Sequence, residues 1–165
     1  MPATVTLFFT VTITSCFALA AHALVLLAHC GAKGATSDDI ADSASTNPAR
    51  VRRVLAPLVR AGLIAGREGG GGGYTLARRP DAITLGDIFA AVEEGPVLPA
   101  HPKAPNARCP IGSGITAALH ELDEDVGDAV RDVLSRRNLR WLATRVAVEA
   151  GTSMSRGNDR KRARR

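Results

Sequence analysis

Aromatic residues and cysteines are scarce in this chain of 165 residues. Phe, Trp and Tyr make up only 4% of it although 45% is hydrophobic, so Ala, Val, Leu and Ile must build most of the core. The length suits one domain with an appendage. The three cysteines, Cys16, Cys30 and Cys109, are an odd number at wide spacing, which is typical neither of a disulfide framework nor of a zinc site. We therefore expect a reducing, cytoplasmic compartment.

Charged residues (Asp, Glu, Lys, Arg) are absent from the first 32 positions. An apolar stretch of this length could span a bilayer, but no positively charged segment precedes it, as a signal peptide requires. His22 and His29 interrupt its second half, and with the adjacent Cys30 they are too few for a metal site. We interpret residues 1–14 as an N-terminal extension and Ser15–His29 as a buried helix, with a membrane anchor as the alternative.

The stretch from Thr36 to Tyr74 has the pattern of a helix-turn-helix followed by a hairpin. Thr36 and Asp39 have the spacing of a capping box at the start of a first helix. Asn47 is a favoured N-cap for a second helix, and Pro48 fits its first position, where no backbone N–H is needed. This is the arrangement of a winged helix-turn-helix, which places one helix in a DNA groove and a hairpin beside the backbone.

The wing is predicted by two short strands, 63–67 and 74–77, which flank the glycines at 69–73. These glycines do not form an ATP-binding loop, because a lysine followed by Ser or Thr would have to come directly after them, whereas Tyr74 follows. We therefore expect a mainly α fold with a small β-hairpin wing, and a winged helix-turn-helix domain over residues 15–95.

Arginines on the second helix indicate a DNA-binding face. Five arginines and no acid lie between Arg50 and Arg67. An isolated helix of this kind would more often be an ordinary solvated surface, but the capped helix before it and the hairpin after it favour DNA. Arginine binds guanine edges or phosphates, and small residues allow close approach. We expect base contacts from Ala49, Arg50 and Arg53 and phosphate contacts from Arg52, Arg60 and Arg67. The other candidate DNA-binding residues are Thr36, Ser37, Asn47, Pro48, Gly70, Gly71 and Tyr74.

A proline-rich loop, residues 96–110, separates this domain from a long amphipathic helix. Apolar residues then recur at spacings of four and three, which is a heptad seam, and acids occupy the outer face. We predict a homodimer interface, with packing on the protein's own first helix as the alternative. The seam residues are Ile115, Leu119, Leu122, Val126, Ala129 and Val133. Residues 111–149 thus hold a dimerisation helix and a short closing helix, and residues 150–165 are expected to be a disordered basic tail.

Five motifs lie between about Thr14 and Val146: A-L-A-A-H-A-L-V-L-L-A, T-N-P-A-R-V-R-R-V-L, G-G-G-Y-T-L-A-R, D-A-I-T-L-G-D-I-F-A-A-V-E and N-A-R-C-P-I-G-S-G-I. Taken together, they resemble the Rrf2 family of bacterial winged-helix regulators. The resemblance implies a homodimer paired through the long helix and bound to a palindromic operator. Members that hold an iron–sulfur cluster have three cysteines in the loop before that helix. Cys109 is the only cysteine there in this chain, so we expect no cofactor.

These features predict a dimeric transcriptional repressor that binds double-stranded DNA. No enzyme is expected, because no general-base constellation accompanies Cys109. Cys109 is instead a candidate redox or thiol sensor, since it lies beside Arg108 near a helix N-terminus, which favours the thiolate. A structural cysteine at the start of the dimer helix is the alternative. For the whole chain, the alternative is a membrane-tethered or protein-interaction winged helix that does not read DNA.

Overall fold

The computed structural model describes residues 12–67, 72–93, 95–99, 101, 103–106 and 108–162, with the backbone alone for 12–15 and 152–162. Within these residues six α-helices and a two-stranded sheet form, joined by two short 3-10 turns, Gly31–Lys33 and Pro80–Ala82. The elements are α1 Thr12–Cys30, α2 Ser37–Ser43, α3 Pro48–Arg60, β1 Ile64–Arg67, β2 Gly73–Leu76, α4 Leu85–Val92, α5 Pro110–Ser135 and α6 Leu139–Arg162. The prediction of a mainly α fold with a small hairpin wing is confirmed.

Helix α1 is at the centre of the core. Ala20, Ala23, Leu24 and Leu27 are completely buried, and the helix packs against α3, α4 and β2. The segment Cys16–Lys33 is the one part of the described chain with the length and composition to cross a membrane. Core helices of soluble proteins can have the same length and apolar composition. The burial of these four side chains explains why one face of α1 is apolar. The helix begins at Thr12, inside the predicted extension, whose residues 1–11 lie outside the described chain.

The wing is an antiparallel pair, β1 and β2, in which Ile64 is opposite Leu76 and Arg67 is opposite Gly73. Ile64 is buried and the rest of β1 is exposed, so the hairpin is fixed to the body at its base. The predicted strands 63–67 and 74–77 differ from the observed ones by a single residue at three of their four ends. Residues 68–71 lie outside the described chain.

The C-terminal end of α5 is docked on α4. Leu139, which follows α5, is completely buried, and two backbone hydrogen bonds of 2.8 Å join this segment to the start of α4 (Leu85 N to Arg137 O, and Leu139 N to Ile83 O). Gly86 is required at the contact, because a Cβ atom there would lie 2.4 Å from Ser135 Oγ. The other end of α5 is exposed from Pro110 through Leu122, apart from half-buried Gly112.

Helix α6 is longer than the predicted closing helix. It continues to Arg162, which corrects the expectation of a disordered tail for residues 150–162; residues 163–165 lie outside the described chain. The Gly and Ser content of the segment indicated disorder, but a glycine inside a helix costs only about 1 kcal/mol and a proline about 3 kcal/mol. No proline occurs after Pro110, so nothing in the sequence forces the helix to stop.

Candidate nucleic-acid interface

The turn between α2 and α3 is built from local caps. Thr36 Oγ1 accepts a hydrogen bond from Asp39 N at 3.1 Å, and Asp39 Oδ2 accepts one from Thr36 N at 2.9 Å. The bonds that the Asp39 carboxyl accepts from Thr36 N and from Thr36 Oγ1 hold its pKa below the ordinary value, because they stabilise the charged form. Ser45 adopts a positive φ of 49° in the turn, and Asn47 Oδ1 accepts a bond from Arg50 N at 2.8 Å. Both predicted helix starts are confirmed.

The orientation of α3 is set by four buried side chains, Val51, Val54, Leu55 and Leu58, each 6% exposed or less. They form an apolar stripe along the helix and contact α1, α2 or α4 in the core. The opposite face of the helix therefore points to solvent. The exposed residues of α3 are Ala49, Arg50, Arg52, Arg53, Ala56, Val59 and Arg60. The structure thus brings six of the small and basic residues of α3 to one outward surface, which we call the arginine face.

The arginines of this face differ in whether another residue holds the side chain in place. Arg52 Nη1 donates to Ser37 Oγ at 3.0 Å, and Ser37 is only 9% exposed. The candidate Ser37 therefore lies below the surface and positions Arg52. Arg50 and Arg53 form no ion pair with any other residue of the described chain, and their guanidinium groups are exposed to an incoming anion.

The wing is connected to the segment before α2 by contacts that the sequence pattern did not indicate. Ala35 and Tyr74 exchange two backbone hydrogen bonds, of 3.1 and 2.8 Å, and Arg67 Nη1 donates to Ala32 O at 3.1 Å. Gly34 has a φ of 72°, and a Cβ atom there would lie 2.4 Å from Tyr74 O. Half-buried Tyr74 and exposed Arg67 thus have structural roles at the end of the two strands that is farther from Ile64. The only signal for these contacts was the glycine at position 34.

The remaining candidate DNA contacts lie around this surface. Thr36 and Pro48 are half-buried at the starts of α2 and α3, and Asn47 is exposed beside Pro48. Gly70 and Gly71 lie outside the described residues. Arg60 is exposed at the last position of α3. The basic residues are therefore spread from the start of α3 to Arg67 at the end of β1.

The predicted seam of α5 is exposed, so it does not pack on α1 as the alternative had it. Four of its side chains keep between 40% and 62% of their surface in contact with solvent: Ile115, Leu119, Leu122 and Val133. Ala129 is exposed and Val126 half-buried. Ile111, which lies before the predicted seam, is 75% exposed at the start of the helix.

The three cysteines are not brought together. Cys109 is exposed at the N-cap of α5, where the backbone N–H groups of Gly112 and Ile111 lower the pKa of its thiol. Cys16 and Cys30 are half-buried in α1. His22 Nε2 is 2.8 Å from Ser43 Oγ. Among the described residues, no group of three or more His, Cys, Asp or Glu side chains is placed to hold a metal ion.

Known proteins resemble this chain over most of its length. Residues 13–145 match the Rrf2 family, described as "Iron-dependent Transcriptional regulator". The putative HTH-type transcriptional regulator YwnA of Bacillus subtilis is 35% identical over 128 residues, 78% of this chain and 94% of YwnA. The HTH-type transcriptional regulator CymR of the same organism is 33% identical over 122 residues, 73% of this chain and 81% of CymR.

A solved structure shares the fold. The crystal structure of the oxidized form of CymR from Staphylococcus aureus superposes with a TM-score of 0.57 at 26% identity, and the alignment covers 79% of this chain and 94% of that one. The match of residues 13–145 includes the caps, the arginine face, the wing and the whole of α5. This chain therefore belongs to the Rrf2 family of winged helix-turn-helix transcriptional regulators.

Proposed function

We propose that this chain is a cytoplasmic, homodimeric repressor that binds a palindromic DNA operator. The observation that supports the proposal most strongly is the arginine face of α3, which is oriented by a buried stripe and fixed at its start by the Asn47 cap. A helix surface of arginines and alanines, on a helix that contains no acidic residue, is complementary to the polyanionic backbone of DNA. The membership of this chain in a family of transcriptional regulators agrees with this proposal.

Base recognition is assigned to Ala49, Arg50 and Arg53. Arg50 and Arg53 are exposed and form no ion pair with other described residues, so their guanidinium groups are available for bidentate bonds to guanine. Ala49 lies between them and the N-terminus of α3, and its small side chain lets the helix approach the base edges. In winged-helix and helix-turn-helix proteins the N-terminal part of the second helix makes these contacts.

Phosphate contacts are assigned to the residues around this centre. Arg52 is held by Ser37 in an orientation beside the start of α2, and Arg67 keeps donors beyond the one that it gives to Ala32. Fixed donors of this kind define the register of a protein on DNA without reading the sequence. The other residues in this group are Thr36, Asn47, Pro48, Arg60, Gly70, Gly71 and Tyr74.

Dimerisation is assigned to the exposed seam of α5. An exposed apolar row along a helix is costly in water and is typical of an interaction surface, and its heptad spacing suits pairing with an identical helix. The interface residues are Ile115, Leu119, Leu122, Val126, Ala129 and Val133. Two copies related by a two-fold axis would place two α3 helices on two half-sites, as a palindrome requires.

The family description names iron, but the donors of this chain do not fit an iron–sulfur cluster. Such a cluster takes four ligands, mostly cysteine thiolates, whereas Cys109 is alone in its loop and Cys16 and Cys30 lie in α1. We therefore assign the chain no cofactor and assign signal detection to Cys109. Its exposed, stabilised thiolate would attack one oxygen of hydrogen peroxide: the S–O bond forms, the O–O bond breaks, and hydroxide leaves and takes a proton from solvent to become water, so that a sulfenic acid remains on Cys109. That a CymR relative has been solved in an oxidized form supports this assignment.

The DNA assignment is tested with an operator selected from random DNA by the purified protein. The double variant Arg50→Ala and Arg53→Ala should lose operator preference in a gel-shift assay while keeping salt-sensitive binding to any DNA. Arg145→Ala, on α6 and paired with Glu149, is the matched control and should bind as the wild type does. Unchanged operator affinity in the double variant would show that α3 does not read bases.

The sensor assignment has its own test. Peroxide should weaken operator binding by the wild type and add one oxygen to Cys109 in the mass spectrum. Cys109→Ser should bind the operator equally with and without peroxide. A wild-type protein whose affinity is indifferent to oxidation of Cys109 would leave this thiol with a structural role only.

A further inference from the structure

A groove lies between α1 and α6, away from the DNA and dimer surfaces. The two helices pack against each other and leave a cavity of about 960 Å³ that is open on one side, a volume within the range of small-molecule sites. Apolar side chains form most of its walls, including Ala21, Val25 and Leu26 from α1 and Leu142, Val146 and Ala147 from α6. None of the residues assigned to DNA or to dimerisation lines it.

Part of the wall lies beyond the match to the family. The match to the family ends at residue 145, so Val146, Ala147 and Ala150 belong to the extension of α6 beyond it. Without these three residues the groove would lose part of its apolar wall, and Leu142 and Ala143 would remain on the α6 side. The groove also accounts for the second apolar face of α1, which burial in the core leaves unexplained.

The polar groups at the edge of the groove are basic or neutral. His22, His29, Ser43, Thr144 and Arg140 line it, and no acid does. His22 is engaged with Ser43, which leaves Arg140 as the permanent charge of the site.

Arg140 is only partly compensated by its neighbours. Arg140 Nη2 lies 3.2 Å from Asp81 Oδ2. Asp81 also accepts two hydrogen bonds from Arg79, of 3.1 and 2.8 Å, and these hold the pKa of its carboxyl below the ordinary value. One carboxylate thus faces two guanidinium groups. A net positive charge remains beside an apolar groove.

We propose that this groove binds a small amphipathic molecule with an apolar body and one anionic head, a carboxylate paired with Arg140. The apolar body would cover the walls and remove their surface from water. The carboxylate would complete the pairing of two guanidinium groups with two carboxylates. An uncharged molecule would cover the apolar walls but would not neutralise the charge of Arg140. The positive charge of Arg140 therefore favours an anionic molecule.

The position of the groove connects it to the wing. Pro80 lines it and opens the 3-10 turn that follows β2 and packs against α6. A bound molecule would therefore contact the segment that joins the wing to α4. The proposal stands apart from the DNA assignment, and its test is made without DNA.

Trp141 provides a built-in reporter for the test. It is the only tryptophan of the chain, follows Arg140 directly, is 41% exposed and has the guanidinium of Arg137 4.6 Å above its ring. The full-length protein is titrated with decanoate and, separately, with decanol, both below the concentration at which micelles form. Decanoate should change the Trp141 fluorescence saturably, and decanol should bind at least about tenfold more weakly, the loss typical of one charge-assisted hydrogen bond.

Two variants and a control make the result specific. Ala147→Phe places a ring in the groove at an exposed position and should abolish saturable binding. Arg140→Gln should weaken decanoate about tenfold and leave decanol unchanged. Arg145→Gln, on the same helix but outside the groove, should change neither, and circular dichroism of each variant establishes that it is folded.

Four outcomes would overturn the proposal. The first is linear, unsaturable binding of decanoate by the wild type. The second is equal affinity for decanoate and decanol together with no effect of Arg140→Gln, which would show that binding does not need an anionic head. The third is binding that appears only after residues 2–11 are deleted, which would make that segment the natural occupant. The fourth is dissociation of the dimer in sedimentation of Ala147→Phe, which would make the groove an interface between copies.

Discussion

Within a single chain, the arginine face of α3 is supported by other residues, whereas the seam of α5 is left uncovered. On α3, Val51 and Leu55 are fully buried and Asn47 caps the helix, so the outward residues stand on a fixed support. On α5, Leu119 and Leu122 are 45% and 48% exposed, and no element of the described chain covers them. The first surface is preorganised for a ligand, whereas the second needs another surface to bury it.

This difference separates the effects expected from substitutions. Changes to residues that support or form the arginine face should alter folding or DNA recognition in each single chain. Changes to the seam should alter assembly and leave the single chain folded, because the seam contributes little to the core. Four substitutions or measurements, from the largest expected effect to the smallest, examine this separation.

The largest effect is expected from Leu119→Glu combined with Leu122→Glu. Two carboxylates in an apolar helix pair would be buried without partners, which should weaken the dimer by about 4 kcal/mol or more. Sedimentation should show monomers, and circular dichroism should show an unchanged helix content. The matched control is Ala117→Glu with His120→Glu, which adds the same two side chains to the outer face of the heptad. A dimer that survives in the seam variant, or one that is lost equally in the control, contradicts the assignment.

The next largest effect concerns the support of the wing. Gly34→Ala would put a methyl group against Tyr74 O, at 2.4 Å before any adjustment, at a φ of 72°, and should lower the free energy of unfolding by about 2–3 kcal/mol. Urea denaturation measures this change. Gly31→Ala is the control, since Gly31 also has a positive φ of 57° but has nothing within 4 Å of its added Cβ, and it should lose only about 1 kcal/mol. Equal losses in the two variants would mean that the contact with Tyr74 is unimportant.

Within the arginine face, two neighbours should behave differently. Arg53→Ala should reduce discrimination at one operator position by about 1–3 kcal/mol, because its guanidinium is assigned to a base edge. Arg52→Ala should weaken binding to all DNA sequences alike and lower the salt dependence of binding, since Arg52, held by Ser37, is assigned to the phosphate backbone of DNA. Gel shifts with operators mutated one base pair at a time measure both. Identical sequence preference in wild type and Arg53→Ala would remove Arg53 from base reading.

The smallest effect is a shift in the titration of Cys109. The N–H groups of Gly112 and Ile111 stabilise its thiolate and lower its pKa. Since only the thiolate reacts with iodoacetamide, the rate of alkylation should rise with pH and reach half its maximum at a lower pH than for free cysteine. Mass spectrometry of tryptic peptides follows Cys109 separately from half-buried Cys16 and Cys30, which should react more slowly. A midpoint at or above that of free cysteine would contradict a stabilised thiolate.

The parts of the fold that depend on residues close in sequence were predictable. The caps of α2 and α3 involve partners three residues apart, and the buried stripe of α3 follows from helical periodicity. The same holds for the capping box that Thr84 and Asp87 form at the start of α4. Short-range chemistry of this kind is visible in a single sequence.

Contacts between distant residues were not predictable from the pattern. Ser37 and Arg52 are fifteen positions apart, and Arg67 donates to a carbonyl thirty-five positions earlier. These partners meet only because the elements that carry them pack in a particular arrangement. Neither contact is indicated by a periodic pattern in the sequence. As a result the sequence identified the arginines of the site correctly as surface residues, but it did not indicate that Ser37 anchors Arg52. The seam was predictable as a row of apolar residues, although its exposure became apparent only in the structure.

The docking of the base of α5 on α4 has a consequence for DNA geometry. Because the backbone bonds of Leu139 and Leu85 and the close contact at Gly86 fix this base, the seam lies at a set distance along α5 from the winged domain. Each helical residue adds about 1.5 Å to that distance. In the proposed dimer, a heptad inserted between base and seam would keep the apolar row aligned and move each winged domain by about 10 Å, roughly three base pairs of B-DNA. The length of one helix thereby encodes the spacing of the half-sites.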